Sequence, residues 1–166
     1  MPITPFHFGP GAAVHAIAPR HISFLAFCAA NVLIDVETLY YMLTHQYPWH
    51  RFFHTYVGAT IIVVATVLLF AALLKLASGT SLPNLLGWKQ LTIRPVVLGA
   101  AVGGYSHIVL DSLMHPDIHP LSPFSAANAL AGVVSLGTLH WACVALGVVG
   151  IVIIGVRTVL HSEAGT

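Results

Sequence analysis

The feature that most constrains this chain is an apolar stretch over residues 55–74 that contains no charged side chain. Twenty residues of α-helix are about 30 Å long, which matches the hydrocarbon core of a bilayer. Inside that core, a helix satisfies all of its own backbone hydrogen bonds. The stretch therefore predicts a membrane-spanning helix.

The composition extends this prediction to the whole chain. Hydrophobic residues make up 57% of the 166 residues and charged residues only 7%, whereas soluble domains carry about 25% charged residues. Three further stretches, over residues 22–43, 95–114 and 132–156, are long and apolar enough to span. We expect one all-α domain over residues 1–166, a polytopic bundle of about four transmembrane helices. The formal net charge of +1 gives no reason to expect nucleic acid as a partner.

The positive charges predict how the bundle is oriented. If the N-terminal side of the first span is cytoplasmic, only Arg51 among the Lys and Arg residues lies outside. This bias follows the positive-inside rule, and the opposite orientation would reverse it. The cations on the cytoplasmic side are then Arg20, Lys75, Lys89, Arg94 and Arg157.

The sharpest pair of polar residues is His107 and Asp111, which lie inside a predicted span. Ionisable groups in hydrocarbon are costly and are retained mainly where they pair, bind a metal or line a pathway. An i, i+4 spacing places both side chains on one helix face, as two ligands of one ion require. A buried His–Asp hydrogen bond between helices is the simpler alternative, and the position within a span favours metal ligation.

His50 and His54 repeat the same spacing at the start of the second span. They lie at the outer end of the bundle, at a depth similar to that of His107 and Asp111. Interfacial histidines without a function are the alternative, which is stronger for His50 than for the deeper His54. We predict that both contribute to one metal site.

Asp35 and Glu37 lie in the outer half of the first span. Two residues apart, they point about 200° away from each other around a regular helix. We therefore expect that both cannot face one site unless the helix is distorted. Asp35 is the better candidate ligand, because Asn31 shares its face and could orient it. Glu37 is a candidate general base from a distorted turn, or it snorkels to the interface.

The N-terminal segment is apolar but too short to span. A turn at Pro19 and Arg20, followed backwards by a short helix over residues 12–18, would pack antiparallel to the first span. His7 would then reach about the height of Asp35, since helix rises about 1.5 Å per residue. We expect a re-entrant N-terminus that brings His7 to the site.

The segment after the third span contains His115, Asp117 and His119 among prolines, which predicts an extended loop. The loop could close over the site or supply a further ligand, and an ordinary polar loop is the alternative. His115 lies one turn after Asp111 and is the strongest candidate of the three.

Three motifs in this order also resemble a known family. The sequences NVLIDVE, HRFFHT and GGYSHIVLDSLMHPDIHPLSPFS resemble the YdjM-like family of inner-membrane, metal-dependent hydrolases, over most of the chain to about Ser125. The resemblance implies a multi-pass protein of the bacterial inner membrane. Two departures are that the second acid of the D-x-D element is a glutamate and that the spacing after the first histidine is long. The resemblance implies a functional set consisting of His7, Asp35, Glu37, His50, His54, His107 and Asp111.

A looser similarity connects the same ligand order to zinc-dependent phospholipase C and related nucleases. That similarity implies hydrolysis of a phosphodiester or phosphomonoester, and a membrane position implies a lipid-linked substrate. Membrane lipids are then the expected partners.

These observations lead to the hypothesis of a membrane-embedded metal-dependent hydrolase open to the outer side. Mixed imidazole and carboxylate ligands suit Zn²⁺ best, and Mn²⁺ or Fe²⁺ also fit, as one or two ions. Glu37 or His115 would carry a proton, and Arg51 would engage a phosphate. The alternatives are a metal-ion or proton transporter that uses the same residues, a non-catalytic metal-binding protein, and a haem or quinone protein. The glycine-rich spans could pack within one chain or between two.

Overall fold

The computed structural model describes residues 5–77 and 83–163, and within them the chain has no strand. The helices are α1 (Phe8–Ile17), α2 (Phe24–Leu43), α3 (Tyr56–Ala77), α4 (Ile93–Met114) and α5 (Leu136–Glu163). Short 3-10 turns occur at Pro5–His7, Phe52–His54 and Leu85–Gln90. The four helices α2 to α5 are long and apolar enough to cross a membrane. The predicted all-α, four-span architecture is confirmed.

Hydroxyl side chains fix where three of the spans begin. In each case the hydroxyl oxygen accepts a hydrogen bond from a backbone N–H of the first turn, as a helix N-cap does. Helix α5, which is one of these three, begins four residues after its predicted start at residue 132. Gly132 has a φ of +75° and so cannot lie in a right-handed helix. The three capping hydrogen bonds run from the backbone N–H of Ala26 to the Ser23 hydroxyl (3.2 Å), from that of Gly58 to the Thr55 hydroxyl (2.9 Å) and from that of Thr138 to the Ser135 hydroxyl (3.1 Å).

Glycines bring the polar spans into close contact. A Cβ atom at Gly99 would lie 2.3 Å from the carbonyl oxygen of Ser23, and one at Gly103 would lie 2.6 Å from that of Phe27. Helix α4 therefore packs backbone to backbone against α2, as small residues allow in membranes. On its other side, Gly104 faces α3. This contact sets polar residues of α2 and α4 opposite each other.

The N-terminal helix packs beside the fifth helix as well as against α2. The predicted short helix over residues 12–18 is longer, Phe8–Ile17, and its larger contact is with α5. A Cβ atom at Gly9 would fall on the Cys143 carbonyl, and one at Gly150 would fall 2.6 Å from the Ala12 backbone. These glycines therefore serve packing within the chain.

The turn between α1 and α2 sends α1 back alongside α2. The N–H groups of His21 and Ile22 both donate to the carbonyl oxygen of Ala18. The first residues of α1 consequently lie near the level where α3 begins and α4 ends, about two turns short of the end of α2. We call this end of the bundle the site face.

Candidate metal centre

Four buried ligand-type side chains converge near the site face, and we call them site A: Asp35, His54, His107 and Asp111. Both imidazoles are fully buried, and the two carboxylates are 5% and 3% exposed. Asp35 projects from α2, His107 and Asp111 from α4, and His54 from the 3-10 turn that precedes α3. Asp111 lies about one turn from the end of α4 and Asp35 about two turns from the end of α2. The site is thus deep but in the half of the bundle nearest the site face.

The donor atoms of site A have the mutual spacing of a tetrahedral site. The Nε2 atom of His107 lies 3.2 Å from Asp111 Oδ2 and 3.4 Å from Asp35 Oδ1. The Nε2 atom of His54 lies 3.4 Å and 3.6 Å from the same two oxygens, and 3.4 Å from the other Nε2 atom. Ligands about 2.0–2.1 Å from a tetrahedral zinc ion are about 3.3–3.4 Å from one another. These five distances therefore fit one bound ion.

The tautomer of His107 supports the same conclusion. Asn31 Nδ2 donates to the Phe27 carbonyl at 2.8 Å, which orients the amide so that its Oδ1 faces His107 Nδ1 at 3.0 Å. His107 must therefore donate through Nδ1, and in the neutral ring Nε2 carries a lone pair. That lone pair faces two carboxylate oxygens, so the arrangement needs a cation or a proton between them. We expected Asn31 to orient Asp35, and its bond to His107 was missed because sequence spacing cannot rank partners on another helix.

Glu37 and Asp35 flank the imidazole of His54 on opposite sides. Asp35 Oδ1 is 3.6 Å from Nε2, whereas Glu37 Oε2 is 4.0 Å from Nδ1. Glu37 Oε2 also accepts the backbone N–H of Phe53 at 2.7 Å, which ties the 3-10 turn to α2. On this regular helix only Asp35 belongs to site A, and Glu37 lies on the far side of His54. α2 is continuous, and one imidazole reaches both residues because its two nitrogens point in different directions.

The N-terminus delivers His7 to the site, as expected. His7 is 2% exposed, its Nε2 lies 3.0 Å from Asp111 Oδ1, and its ring centroid lies 4.5 Å from that of His107. The short distance to Asp111 does not come with hydrogen-bond geometry. Both ring nitrogens of His7 and Oδ1 of Asp111 are buried without a hydrogen-bond partner. Unpaired buried polar atoms are costly, so this group of atoms fits a bound cation.

A second group of ligand-type side chains shares Asp111, and we call it site B: His50, Asp111 and His115. The donor atoms of site B lie within 4.8 Å of one another. The rings of His50 and His115 stack with centroids 4.4 Å apart, and His50 contacts the ring of His54 at 4.7 Å. His115 is half-buried, and His50 is 5% exposed. Site B therefore lies beside site A, closer to the surface.

The charge state of the site B histidines suits metal ligation. Burial is the largest influence and lowers the pKa of both His50 and His115 below the usual value for histidine. Both rings are then neutral near pH 7, as ligands must be. His50 Nδ1 lies 2.9 Å from Asp117 Oδ2, so that nitrogen donates and Nε2 is the ligand atom. Sequence reasoning gave Asp117 no such role, and the only sign of it was its position in the polar loop.

Arg51 belongs to neither site. Its guanidinium stacks 3.7 Å over the ring of Tyr41, and its Nε donates to the Pro48 carbonyl at 2.9 Å. It lines a pocket of about 360 Å³ together with His50 and His119. This pocket opens beside site B. The Arg51 guanidinium therefore lies close to the site, although its contacts are with Tyr41 and Pro48 rather than with His50, Asp111 or His115.

The structure thus gathers the six predicted ligands into one region and places Glu37 and His115 in contact with it. No protein-family model, curated protein or solved structure matches this chain. The chemistry of these residues is therefore the basis for the function.

Proposed function

We propose that this chain is a membrane-embedded, metal-dependent hydrolase that cleaves a phosphoester in a lipid-linked or phosphorylated substrate at the site face. The observation that carries this proposal is the tetrahedral spacing of the site A donors, next to a second ligand group that shares Asp111. Shared carboxylates and mixed His/Asp ligands are typical of the two-metal sites of phosphoesterases. Four helices that can span a bilayer make a lipid-borne substrate the natural class.

The motif order that resembles the YdjM-like family supports the same function. Together with the positive-inside rule, it supports a location in a bacterial inner membrane with the site face toward the periplasm. Zinc is the proposed metal, since two imidazoles whose Nε2 atoms lie 3.2–3.6 Å from two carboxylate oxygens suit tetrahedral coordination.

In the proposed reaction, some residues orient the metal ligands and others carry protons. A divalent ion would polarise a phosphoryl oxygen and lower the pKa of a bound water to about 7. Asn31 and Asp117 hold the imidazoles of His107 and His50 so that Nε2 faces the centre. His115 and Glu37 are the candidate proton carriers, from the surface side and the far side of His54 respectively.

Substrate access is proposed through the pocket beside site B. Arg51 is held at the pocket wall by Tyr41 and Pro48, so its charge is positioned before a substrate arrives. A planar guanidinium suits a phosphate oxygen pair. The described spans carry few ionisable groups away from the site face, which favours a site that is reached from one side only. A transporter would instead need a polar route to the other side.

The test combines metal content with hydrolysis. Detergent-purified protein would be stripped, reloaded with zinc and assayed with bis-p-nitrophenyl phosphate, p-nitrophenyl phosphate and phosphatidic acid in mixed micelles. We expect chelator-sensitive hydrolysis and bound zinc, both lost in Asp111→Ala and both retained in His21→Ala, an exposed histidine outside the two sites. Bound zinc with no hydrolysis of any of the three esters would contradict the hydrolase, and zinc flux in liposomes would then favour the transporter.

A further inference from the structure

An apolar groove lies between α1, the start of α2 and the middle of α5. It has a volume of about 560 Å³, within the usual range for ligand pockets. Its walls are almost entirely hydrocarbon. The residues that define it best are Phe6, Phe8, Ala12, Phe24, Val144 and Val148.

The groove exists because α5 stands away from the other spans. It contacts α1 through Gly9 and Gly150, at positions where a Cβ atom would clash, so the two backbones touch. Helix α1 has 10 residues and α5 has 28, and α5 packs mainly on α1 and on the turn before it. The short helix therefore acts as a spacer, and the gap beside it opens toward the bilayer.

One end of the groove adjoins the candidate metal centre. Phe6 lies in its wall, and the next residue, His7, places its Nε2 3.0 Å from Asp111 Oδ1. The stack of Phe6 on His140, at 4.2 Å between centroids, fixes this end of the wall between α5 and the centre. This end of the groove is therefore separated from the ligand cluster only by the side chain of His7 and its backbone neighbour Phe6.

The other end of the groove points away from the site face. Its lining follows α1 from Phe6 to His15, a length of about 14 Å at 1.5 Å per residue. This is about half of the hydrocarbon thickness of a bilayer. The chains of a lipid whose headgroup lies near the site face run in the same direction and over a similar depth.

We propose that the groove holds one hydrocarbon chain of an anionic lipid whose phosphate lies at the metal centre. This inference rests on the proposed function and names its substrate class: a phospholipid or polyprenyl phosphate rather than a water-soluble ester. Among the described residues that line the groove, His15 is the only ionisable side chain apart from the Cys143 thiol, and its Nδ1 is hydrogen-bonded to the Ile22 carbonyl oxygen at 2.7 Å. A polar or charged ligand would find no partner in the groove, whereas a hydrocarbon chain needs none.

Chain binding is tested by photolabelling in nanodiscs. Zinc-loaded protein would be placed in phosphatidylcholine nanodiscs with a trace of phosphatidic acid that carries a diazirine at the end of one acyl chain. After irradiation, mass spectrometry would locate the label. We expect labelling of the groove residues of α1 and α5, and excess unlabelled phosphatidic acid should suppress this labelling. Labelling of the exposed face of α3 should not saturate.

Two neighbouring valines provide a matched pair of variants. Val148 lines the groove and Val149 does not, although they are 55% and 50% exposed. Val148→Trp should fill the groove and reduce the saturable labelling at least about tenfold, while Val149→Trp should leave it unchanged. Zinc content equal to wild type confirms that each variant is folded, and Val144→Trp replaces Val148→Trp if that variant does not fold.

Competition tests where the headgroup lies. Phosphatidic acid should displace the probe at least about tenfold better than diacylglycerol, and this advantage should vanish in Asp111→Ala. Equal competition by the two lipids, or equal labelling of the Val148 and Val149 variants, would overturn the inference. Release of inorganic phosphate from phosphatidic acid is followed in the same samples. If it is intact while labelling is unsaturable, the groove inference alone fails; if it is absent while labelling is saturable and headgroup-dependent, only the hydrolase fails.

Discussion

Sites A and B share Asp111 but are built in different ways. Site A takes its other donors from α2, from α4 and from a 3-10 turn tied to α2 by Glu37, and all are buried. Site B takes one histidine from the loop before that turn and one from the end of α4, where His115 is half-buried. The difference indicates that site A is closed to water, whereas site B lies closer to the surface at His115. We expect a slowly exchanging ion in site A and a labile one in site B.

The largest effect should come from the shared residue. Asp111→Ala removes a ligand from both sites, takes the nearest carboxylate away from His7, and leaves Asp35 as the one site A carboxylate beside His54 and His107. Loss of a residue that hydrogen-bonds a metal ligand typically lowers metal affinity by about 10–100-fold. Loss of Asp111, a ligand itself, should lower the affinity of both sites by more than this. Competition titration against a chromophoric chelator measures it. Tight binding in this variant would show that the two groups do not share a ligand.

The two sites should then separate kinetically. Transfer of zinc from wild-type protein to excess chelator should show a slow phase from site A and a fast phase from site B. His107→Ala should abolish the slow phase, and His115→Ala should abolish the fast one. A single phase in the wild type, or one that neither variant alters, would contradict the comparison.

The residues that orient the imidazoles should have smaller, site-specific effects. Asn31→Ala removes the acceptor for His107 and should weaken zinc at site A by about 10–100-fold. Asp117→Ala removes the acceptor for His50 and should weaken site B by a similar factor. The same titration distinguishes them. If Asn31→Ala weakened site B instead, the assignment of the tautomers would be wrong.

The smallest effect concerns the helix contact beneath site A. Gly103→Ala places a Cβ atom 2.6 Å from the Phe27 carbonyl and 3.0 Å from Asn31 Nδ2, so α2 and α4 must separate. Such overpacking costs about 1–3 kcal/mol of unfolding free energy. Gly155→Ala meets nothing within 4 Å, and replacing a helix glycine there should gain up to about 1 kcal/mol. Unfolding in detergent mixtures measures both, and equal effects would contradict the close contact.

Much of the fold followed from the sequence because lipid limits the choices. An apolar stretch such as 55–74 has to be a helix, and the i, i+4 spacing of His107 and Asp111 places both on one face whatever the neighbours are. The prediction of His7 at the site also succeeded, because a turn at a fixed position and a constant rise determine its height.

What the sequence could not provide was which atoms meet across helices. The placement of Asp35 and Glu37 on either side of His54 depends on where the 3-10 turn sits. The bond from His107 to Asn31, and that from His50 to Asp117, join residues 76 and 67 positions apart. Spacing along one helix carries no information on such contacts. The same holds for α1, whose main partner α5 is more than a hundred residues away.

The central claim is that site A holds a metal ion among its four donor atoms. Anomalous X-ray diffraction at the zinc edge, from crystals grown with zinc, tests it most directly. We predict a peak between His54 Nε2 and His107 Nε2, about 2.0–2.2 Å from each of the four donors, with a weaker one at site B. No anomalous peak at site A, with His107 and Asp111 joined by a direct hydrogen bond instead, would contradict the account.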